Sequence, residues 1–442
     1  MKLNIISKAL MLACAVSLSA ISCDAESSYF KRLGQGVNRN MLLQLPEYSC
    51  VHYDQASLVF PSGRRAHDIF NAKLDSLLRY HNTSVRCWHV GGSHVQADMF
   101  SHRMRSNLTK MAPGLVSTRG VIFPFDMAKT NWSHNYRISY TGTWKAQRNV
   151  QRNVTYRLGL TGIAAMTKDT ADDAEATITL NLNVGKDPSW TMDRLRVMGY
   201  ASSDDVKVFT VLKFNKFHAN LKDTVWSKYD SETESYVVPL PQNTDSATIV
   251  ISTPKNESFT LTGLIPESDN PGIQYFSSGI NGAAVPSWLK CEDLARDLKL
   301  VRPDIVFFGI GVNDAAVAPD KFDVEAFKDG YRRIIKMVRD VNPDAALVFI
   351  TNNDTYRKVS KKSRVANVNA FAVEEAFLML AEEYDGAVWN VFDFMGRLRS
   401  STKWRDAGLM NKDLIHFTRK GYELLGDMLF NALIEDCVNS KQ

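Results

Sequence analysis

The sequence of 442 residues is short of almost every feature that marks a specialised class of protein. It has six cysteines, no Cys-x-x-Cys and no cysteine–histidine pair at zinc spacing, so no structural metal is expected. Neither sign of charge dominates, because 53 Lys+Arg stand against 48 Asp+Glu for a formal net charge of +5, or +3 without Lys2 and Lys8. So mild a balance, with no basic run interleaved by aromatics, argues against nucleic acid as a partner. Beyond the N-terminus no apolar run approaches the roughly 20 residues of a membrane-spanning helix. Internal repeats and low-complexity segments are missing too. What is left is ordinary globular material, 45% hydrophobic and 23% charged, long enough for two or three domains with a sizeable core.

Residues 1–22 read as an export signal, with Lys2 and Lys8 ahead of an apolar core from Ala9 to Ala20 that is too short to span a bilayer. Ala20 and Ser22 precede Cys23 at the positions of a relaxed bacterial lipoprotein signal. A lipidated Cys23 would anchor the chain to the outer membrane of a Gram-negative-type envelope, facing the periplasm or the surface. Soluble secretion after Ala25 is the alternative. Of the remaining cysteines, Cys50, Cys87, Cys291 and Cys437 allow three complete pairings, and a chain of this size folds without any; free buried thiols are the simpler expectation.

Hydrophobic periodicity divides the mature chain into α/β material at both ends and β material between. Residues 67–80 have helical spacing, 84–90 form an apolar strand that runs into Gly91-Gly92-Ser93, and 96–111 turn helical again. Short alternating runs at 176–184, 206–214, 246–252 and 258–263, split by Asp, Asn, Gly, Ser and Pro, predict an antiparallel sandwich over about 128–270. Then strands at 305–309, 345–351 and 387–394 alternate with helices at 324–341, 365–384 and 419–437. The expected fold is therefore a doubly wound parallel α/β sheet, 23–127 and 271–442, interrupted by an inserted antiparallel β-sandwich, 128–270.

Ligands of such a sheet bind beyond the carboxyl ends of its strands. Ser93, Asn313 and the loop Asp413–His416 all follow strands, so one crevice collects a nucleophile, a histidine able to take its proton and a carboxylate able to hold the ring. The N–H of Ser93, the N–H of Gly282 and the side-chain amide of Asn313 are candidate donors to an oxyanion. Singly these motifs are short enough to arise by chance.

Together, in this order and on these elements, Gly-x-Ser-His, the glycine of Gly279-Ile-Asn-Gly282, Gly-x-Asn-Asp and Asp-x-x-His resemble the blocks of the SGNH (GDSL-like) hydrolase superfamily. The resemblance covers about 30–127 and 271–442. It implies a flavodoxin-like sheet, Ser93 as nucleophile, Asp413 and His416 as its partners, and Ser93, Gly282 (or Gly279) and Asn313 as the oxyanion hole, with no cofactor and no metal. Where the family has Gly-Asp-Ser, this chain has Gly-Gly-Ser; the missing aspartate is neither nucleophile nor base, so activity is expected to survive. A sandwich between the first two blocks resembles the carbohydrate-binding-type insert of bacterial peptidoglycan O-acetylesterases. The implied activity is removal of O-acetyl groups from an acetylated glycan, peptidoglycan or another polysaccharide. A glycan O-acetyltransferase using the same triad and a non-catalytic glycan-binding lipoprotein are the competing expectations.

Other polar residues carry plainer expectations. His94 either touches substrate or has a structural partner, Asp314 supports Asn313 or caps a helix, and Asp98 serves a helix start. Trp132, Trp144, Trp190 and Trp226 are expected to pack in the insert's core, Thr351–Thr355 to form a loop, and Arg332, Arg333 and Lys336 to form a solvated helix face.

Overall fold

The computed structural model describes residues 34–441 apart from 113, 169–173, 185–189, 217–218 and 361–362. The signal segment and Cys23 lie outside the described residues.

Seven strands form the main sheet: β1 (Leu58–Val59), β2 (Val85–Gly91), β3 (Val116–Thr118), β4 (Gly272–Gly279), β5 (Ile305–Gly309), β6 (Ala346–Ile350) and β7 (Ala387–Trp389). Their order is β1-β7-β6-β5-β2-β4-β3, parallel throughout except for β1 against β7. Alternate residues of each strand face opposite sides, and both sides are covered. Cys87, Phe307 and Val348 pack with Phe70 and Leu74 of α1 (Arg65–Tyr80), Met104 of α3 (Phe100–Thr109) and Leu425 of the C-terminal helix Arg419–Asn439. Trp88, Phe308 and Phe349 pack with Leu298 of Leu294–Val301, Ile334 of Val324–Val341 and Phe377 of Asn369–Tyr384. A strand buried on both faces reads as a continuous apolar run, which is why β5 and β6 stand out in the sequence.

Between β3 and β4 the chain builds two antiparallel sheets. One has five strands ordered Ala219–Trp226, Lys207–Lys216, Ser246–Thr253, Ala174–Asn181 and Arg137–Tyr140. The other has six, ordered Lys228–Asp230, Ser235–Thr244, Met192–Ala201, Phe259–Glu267, Ile163–Thr167 and Trp144–Arg148. Ile178 and Ile249 from the first and Leu195 and Leu261 from the second share a core that is continuous with the Trp88 face of the main sheet.

Several sequence expectations need correction. The helix expected over 96–111 is two helices, α2 (Ser93–Gln96) and α3, because Asp98 adopts φ 49° between them. The strand expected over 387–394 stops at Trp389, and Val391–Phe394 is helical, capped by the Asn390 side chain on Asp393 N–H. The helix expected from 365 begins at Asn369, since Arg364–Ala366 pairs with Tyr356–Lys358 in a hairpin. Strand β4 was not expected: Gln274, Ser277 and Ser278 interrupt its apolar run. Trp190 is buried as expected, but Trp132 and Trp226 are exposed. The helix face of Arg332, Arg333 and Lys336 is solvated as expected, Arg333 and Lys336 being exposed and the half-buried Arg332 pairing at the surface with Asp329 and with Glu383 of the neighbouring helix. All four cysteines are buried and free.

A polar clamp docks the insert on helix Leu294–Val301. Arg157 pairs with Asp293 and Glu234, Arg296 with Glu234 and Asp297, and Asp297 accepts a hydrogen bond from Leu160 N–H at 2.9 Å. Asp297 is fully buried, and burial outweighs Arg296 and the Leu160 N–H, pushing its carboxyl from an ordinary 3.8 to about 6. The unfolded chain releases this proton near pH 4, the folded protein near pH 6. Ionisation therefore costs nothing below pH 4, lowers stability progressively from pH 4 to 6, and costs a constant amount above. Asp297→Asn is expected to gain on the parent by on the order of 2 kcal/mol between pH 4 and pH 7, read as the difference in urea unfolding free energy. A parent–variant difference independent of pH would refute this.

Candidate active site

The carboxyl end of β2 delivers Ser93 to the first position of α2, with Gly92 as its N-cap residue. Gly92 tolerates no side chain without crowding: a Cβ there would lie 3.1 Å from the Asn313 amide nitrogen. Ser93 Oγ is 2.8 Å from His416 Nε2, and His416 Nδ1 is 2.7 Å from Asp413 Oδ2. The loop carrying the last two is built by Asp413 itself. Its Oδ1 accepts from Ile415 N–H (2.9 Å) and His416 N–H (3.0 Å), while Leu414 sits at φ 57°, so the chain turns tightly enough for a side chain three residues on to reach Oδ2. Partial burial raises the Asp413 carboxyl, but the bonds from the His416 ring and the two N–H groups outweigh it and hold the group below its ordinary value. It is a carboxylate at neutral pH. With Nδ1–H donated to Asp413, Nε2 presents its lone pair to the Ser93 hydroxyl.

Gly282 takes φ 82°, a left-handed conformation that glycine adopts without a Cβ clash, and its N–H has no hydrogen-bond partner among the described residues; neither does that of Ser93. Asn313 Nδ2 donates one hydrogen to Ala283 O at 2.9 Å, leaving a second beside Gly92. All of Ser93, Gly282, Asn313 and His416 line a cleft of about 760 Å³. Gly279, the alternative second-block glycine, ends β4 and packs against the backbone of Gln96, away from the cleft lining.

Sequence reasoning missed the residue that ties these parts together. Gln96, buried in α2, accepts from Asn281 N–H (2.6 Å) and donates to Asn131 O (2.7 Å) and Thr130 Oγ1 (3.0 Å), fixing the Gly282 loop to both α2 and the segment leading into the insert. A buried polar residue four positions into a helix gives no periodic signal. His94 has a structural partner: Nδ1 is 2.7 Å from Tyr422 Oη, and burial and then His416 push its pKa down to about 3, so it is neutral. Asp314 is a cap, accepting from Val285 N–H at 2.9 Å. In the Thr351–Thr355 loop, Asn353 Nδ2 holds Ile415 O at 3.0 Å, a support for the histidine loop that the motif alone did not suggest.

Residues 259–424 match the model of the GDSL-like Lipase/Acylhydrolase family. Over this span the chain is similar to a GDSL-like lipase/acylhydrolase domain. The matched span of this domain includes Gly282, Asn313, Asp413 and His416, while Ser93 lies before the inserted sheets and outside it. No curated protein matches the sequence. Among solved structures, a peptidoglycan O-acetylesterase is 22% identical, with a TM-score of 0.65, covering 86% of this chain and 98% of the other. Coverage that broad takes in inserted strands as well as the GDSL-like domain, and the shared property is the fold. A putative GDSL-like lipase from Parabacteroides merdae (22% identical, TM-score 0.29, 36% of this chain and 73% of that) and an acetyl xylan esterase (18%, TM-score 0.29, 37% and 82%) align over smaller parts.

Proposed function

We propose that the protein is an exported serine esterase that releases acetate from an O-acetylated glycan, with Ser93, His416 and Asp413 as its triad. The observation that carries this reading is the continuous chain from Ser93 Oγ through the His416 ring to Asp413, at 2.8 and 2.7 Å, opening on a cleft large enough for several sugar units. His416 Nε2 takes the serine proton as Oγ attacks the acetyl carbonyl. The tetrahedral oxyanion is held by the N–H groups of Ser93 and Gly282 and the second N–H of Asn313. Collapse expels the sugar oxygen, which receives the proton from His416, and leaves an acetyl-serine. Water, deprotonated by His416, attacks that ester, and His416 returns the proton to Ser93 Oγ as the acyl–oxygen bond breaks and acetate leaves.

The fold shared with a peptidoglycan O-acetylesterase and the two antiparallel sheets beside the GDSL-like domain support a glycan as the acyl carrier; the N-terminal pattern of residues 1–23 supports export. The test is acetate release by the mature protein from O-acetylated peptidoglycan and, in parallel, from an acetylated plant polysaccharide. Release from the first alone supports a wall esterase, and release from the second supports nutrient breakdown. No release from either rejects the proposal. Asn313→Ala is expected to lower kcat about 10²- to 10³-fold with KM little changed, since its free N–H meets the oxyanion more closely than the ground-state carbonyl. A rise in KM at constant kcat would instead make Asn313 a substrate-binding group.

A further inference from the structure

The cleft that holds Ser93 and His416 is electrically lopsided. Arg357, Lys358 and Arg364, all from the Tyr356–Ala366 hairpin region, line it, and among the described residues no aspartate or glutamate does. Four arginines elsewhere, Arg157, Arg194, Arg196 and Arg397, each pair with two carboxylates. The three cleft cations have no carboxylate within 4.0 Å among the described residues. Arg357 Nε is in addition buried without a hydrogen-bond partner among the described residues, a donor that has lost water and gained nothing in exchange. The nearest acid in the chain's own machinery, Asp413, already spends both oxygens on His416 and Ile415.

The hairpin is also fixed relative to the reacting atoms. Tyr356 N–H donates to Leu414 O at 3.3 Å and Arg364 Nη1 to Asp413 O at 2.5 Å, so the basic residues hang on the same loop that carries His416. An anion seated there would be registered against the nucleophile, and a guanidinium's parallel N–H pairs suit a carboxylate.

We propose that the acyl-bearing sugar carries a carboxylate, on the ring or on its substituent, that Arg357 binds with Lys358 and Arg364 while the ester lies at Ser93. This rests on the esterase reading and names its substrate class: acylated acidic sugars rather than neutral ones. Uronates and sugars with a carboxyalkyl ether present the same group. The test uses both, an O-acetylated uronate oligosaccharide and O-acetylated muramic acid with its free lactyl carboxylate, each beside the matched carboxamide. Acetate release by the wild-type protein at low ionic strength is expected to favour each tested acid over its amide by about 10- to 100-fold in kcat/KM, the worth of a charge-assisted pair. The preference shrinks as salt rises, and in Arg357→Ala it falls to within about threefold, with Arg357→Lys between. Because acid and amide are read in one preparation, partial misfolding leaves the ratio intact.

Preference for one acid alone identifies which source the hairpin accepts. Calorimetric binding to Ser93→Ala gives the same ratio as dissociation constants without any turnover. A ratio retained in binding but with no hydrolysis by the wild-type protein would reject the esterase reading and keep the anion site. A ratio of one in both assays, or one unchanged by Arg357→Ala, would overturn the proposal.

Discussion

Ser93→Ala is expected to lower the rate of acetate release by about 10⁴- to 10⁶-fold while leaving the fold and glycan binding in place. The magnitude follows from what the substitution leaves behind. The cleft, the Gly282 and Asn313 donors and the His416–Asp413 pair all remain, so substrate still binds and the carbonyl is still polarised, but no covalent acetyl-enzyme can form. His416→Ala should cost about as much, because the serine hydroxyl is a poor nucleophile with its proton in place. The double variant should then be little worse than either single one, since the two act as a unit. Additive losses would mean that Ser93 and His416 work in separate steps. Full retention of hydrolysis in Ser93→Ala would remove it as nucleophile. The measurement is acetate release over time, with thermal unfolding and glycan binding recorded on the same preparations.

The parts of this site that sequence made legible are those whose signal is local. Val85–Val90 is a short, mostly apolar stretch broken only by Arg86 and His89, with glycines immediately after it and a helical pattern beyond, and that sequence of patterns puts Ser93 at a strand-to-helix junction. Asp413 and His416 are three residues apart, a spacing a single tight turn can close. The four-part order of blocks supplied the pairing of Ser93 with a histidine 323 positions away, which no local rule could.

What stayed hidden depends on contacts between distant segments. Strand β4 has Gln274, Ser277 and Ser278 in its middle, and it is a strand because β2 and β3 pair with it on either side. Ser278 Oγ accepts from Trp88 Nε1 at 2.9 Å and Ser277 Oγ from Arg105 at 3.1 Å, so polar residues that break the apolar run are satisfied by neighbours on other elements. The Tyr356–Ala366 hairpin reads as the start of a helix because Val365 and Ala366 continue the helical spacing of the following segment. Its pairing, and its attachment to Leu414 O, are tertiary.

Asp98 is the case where sequence misled most, and it yields the largest expected loss of stability. As a polar residue near a helix start it looked like a favourable charge for the dipole. In the structure it is a buried carboxylate between two buried arginines. Arg119 forms a short contact to Oδ2, Arg105 approaches Oδ1 at 3.3 Å, and Ser101 and Ser133 donate at 2.9 and 2.8 Å. Burial alone would raise this carboxyl, but Arg105 and Arg119 hold it far below the ordinary range. Burial also pulls the Arg119 guanidinium down to about 10, leaving it cationic at neutral pH.

Asp98→Ala therefore strands two desolvated cations and is expected to destabilise the protein by about 3–5 kcal/mol. About 1 kcal/mol more is expected from the φ of 49°, which alanine adopts less readily than aspartate or asparagine. Asp98→Asn, which keeps the turn and several hydrogen bonds but removes the charge, should lose distinctly less than Asp98→Ala. Guanidinium unfolding at pH 7 decides it: an alanine variant within about 1 kcal/mol of the parent would show that the arginines find other partners. The consequence reaches Ser93, because Asp98 sits two residues beyond α2 and its carbonyl accepts from Asn135 Nδ2 at 2.6 Å. Loosening that junction frees the helix that aims Ser93 at His416. Asp98→Asn should accordingly show a drop in kcat at temperatures where it is still fully folded, with KM near the parent's, and an unchanged kcat there would confine Asp98 to holding the fold.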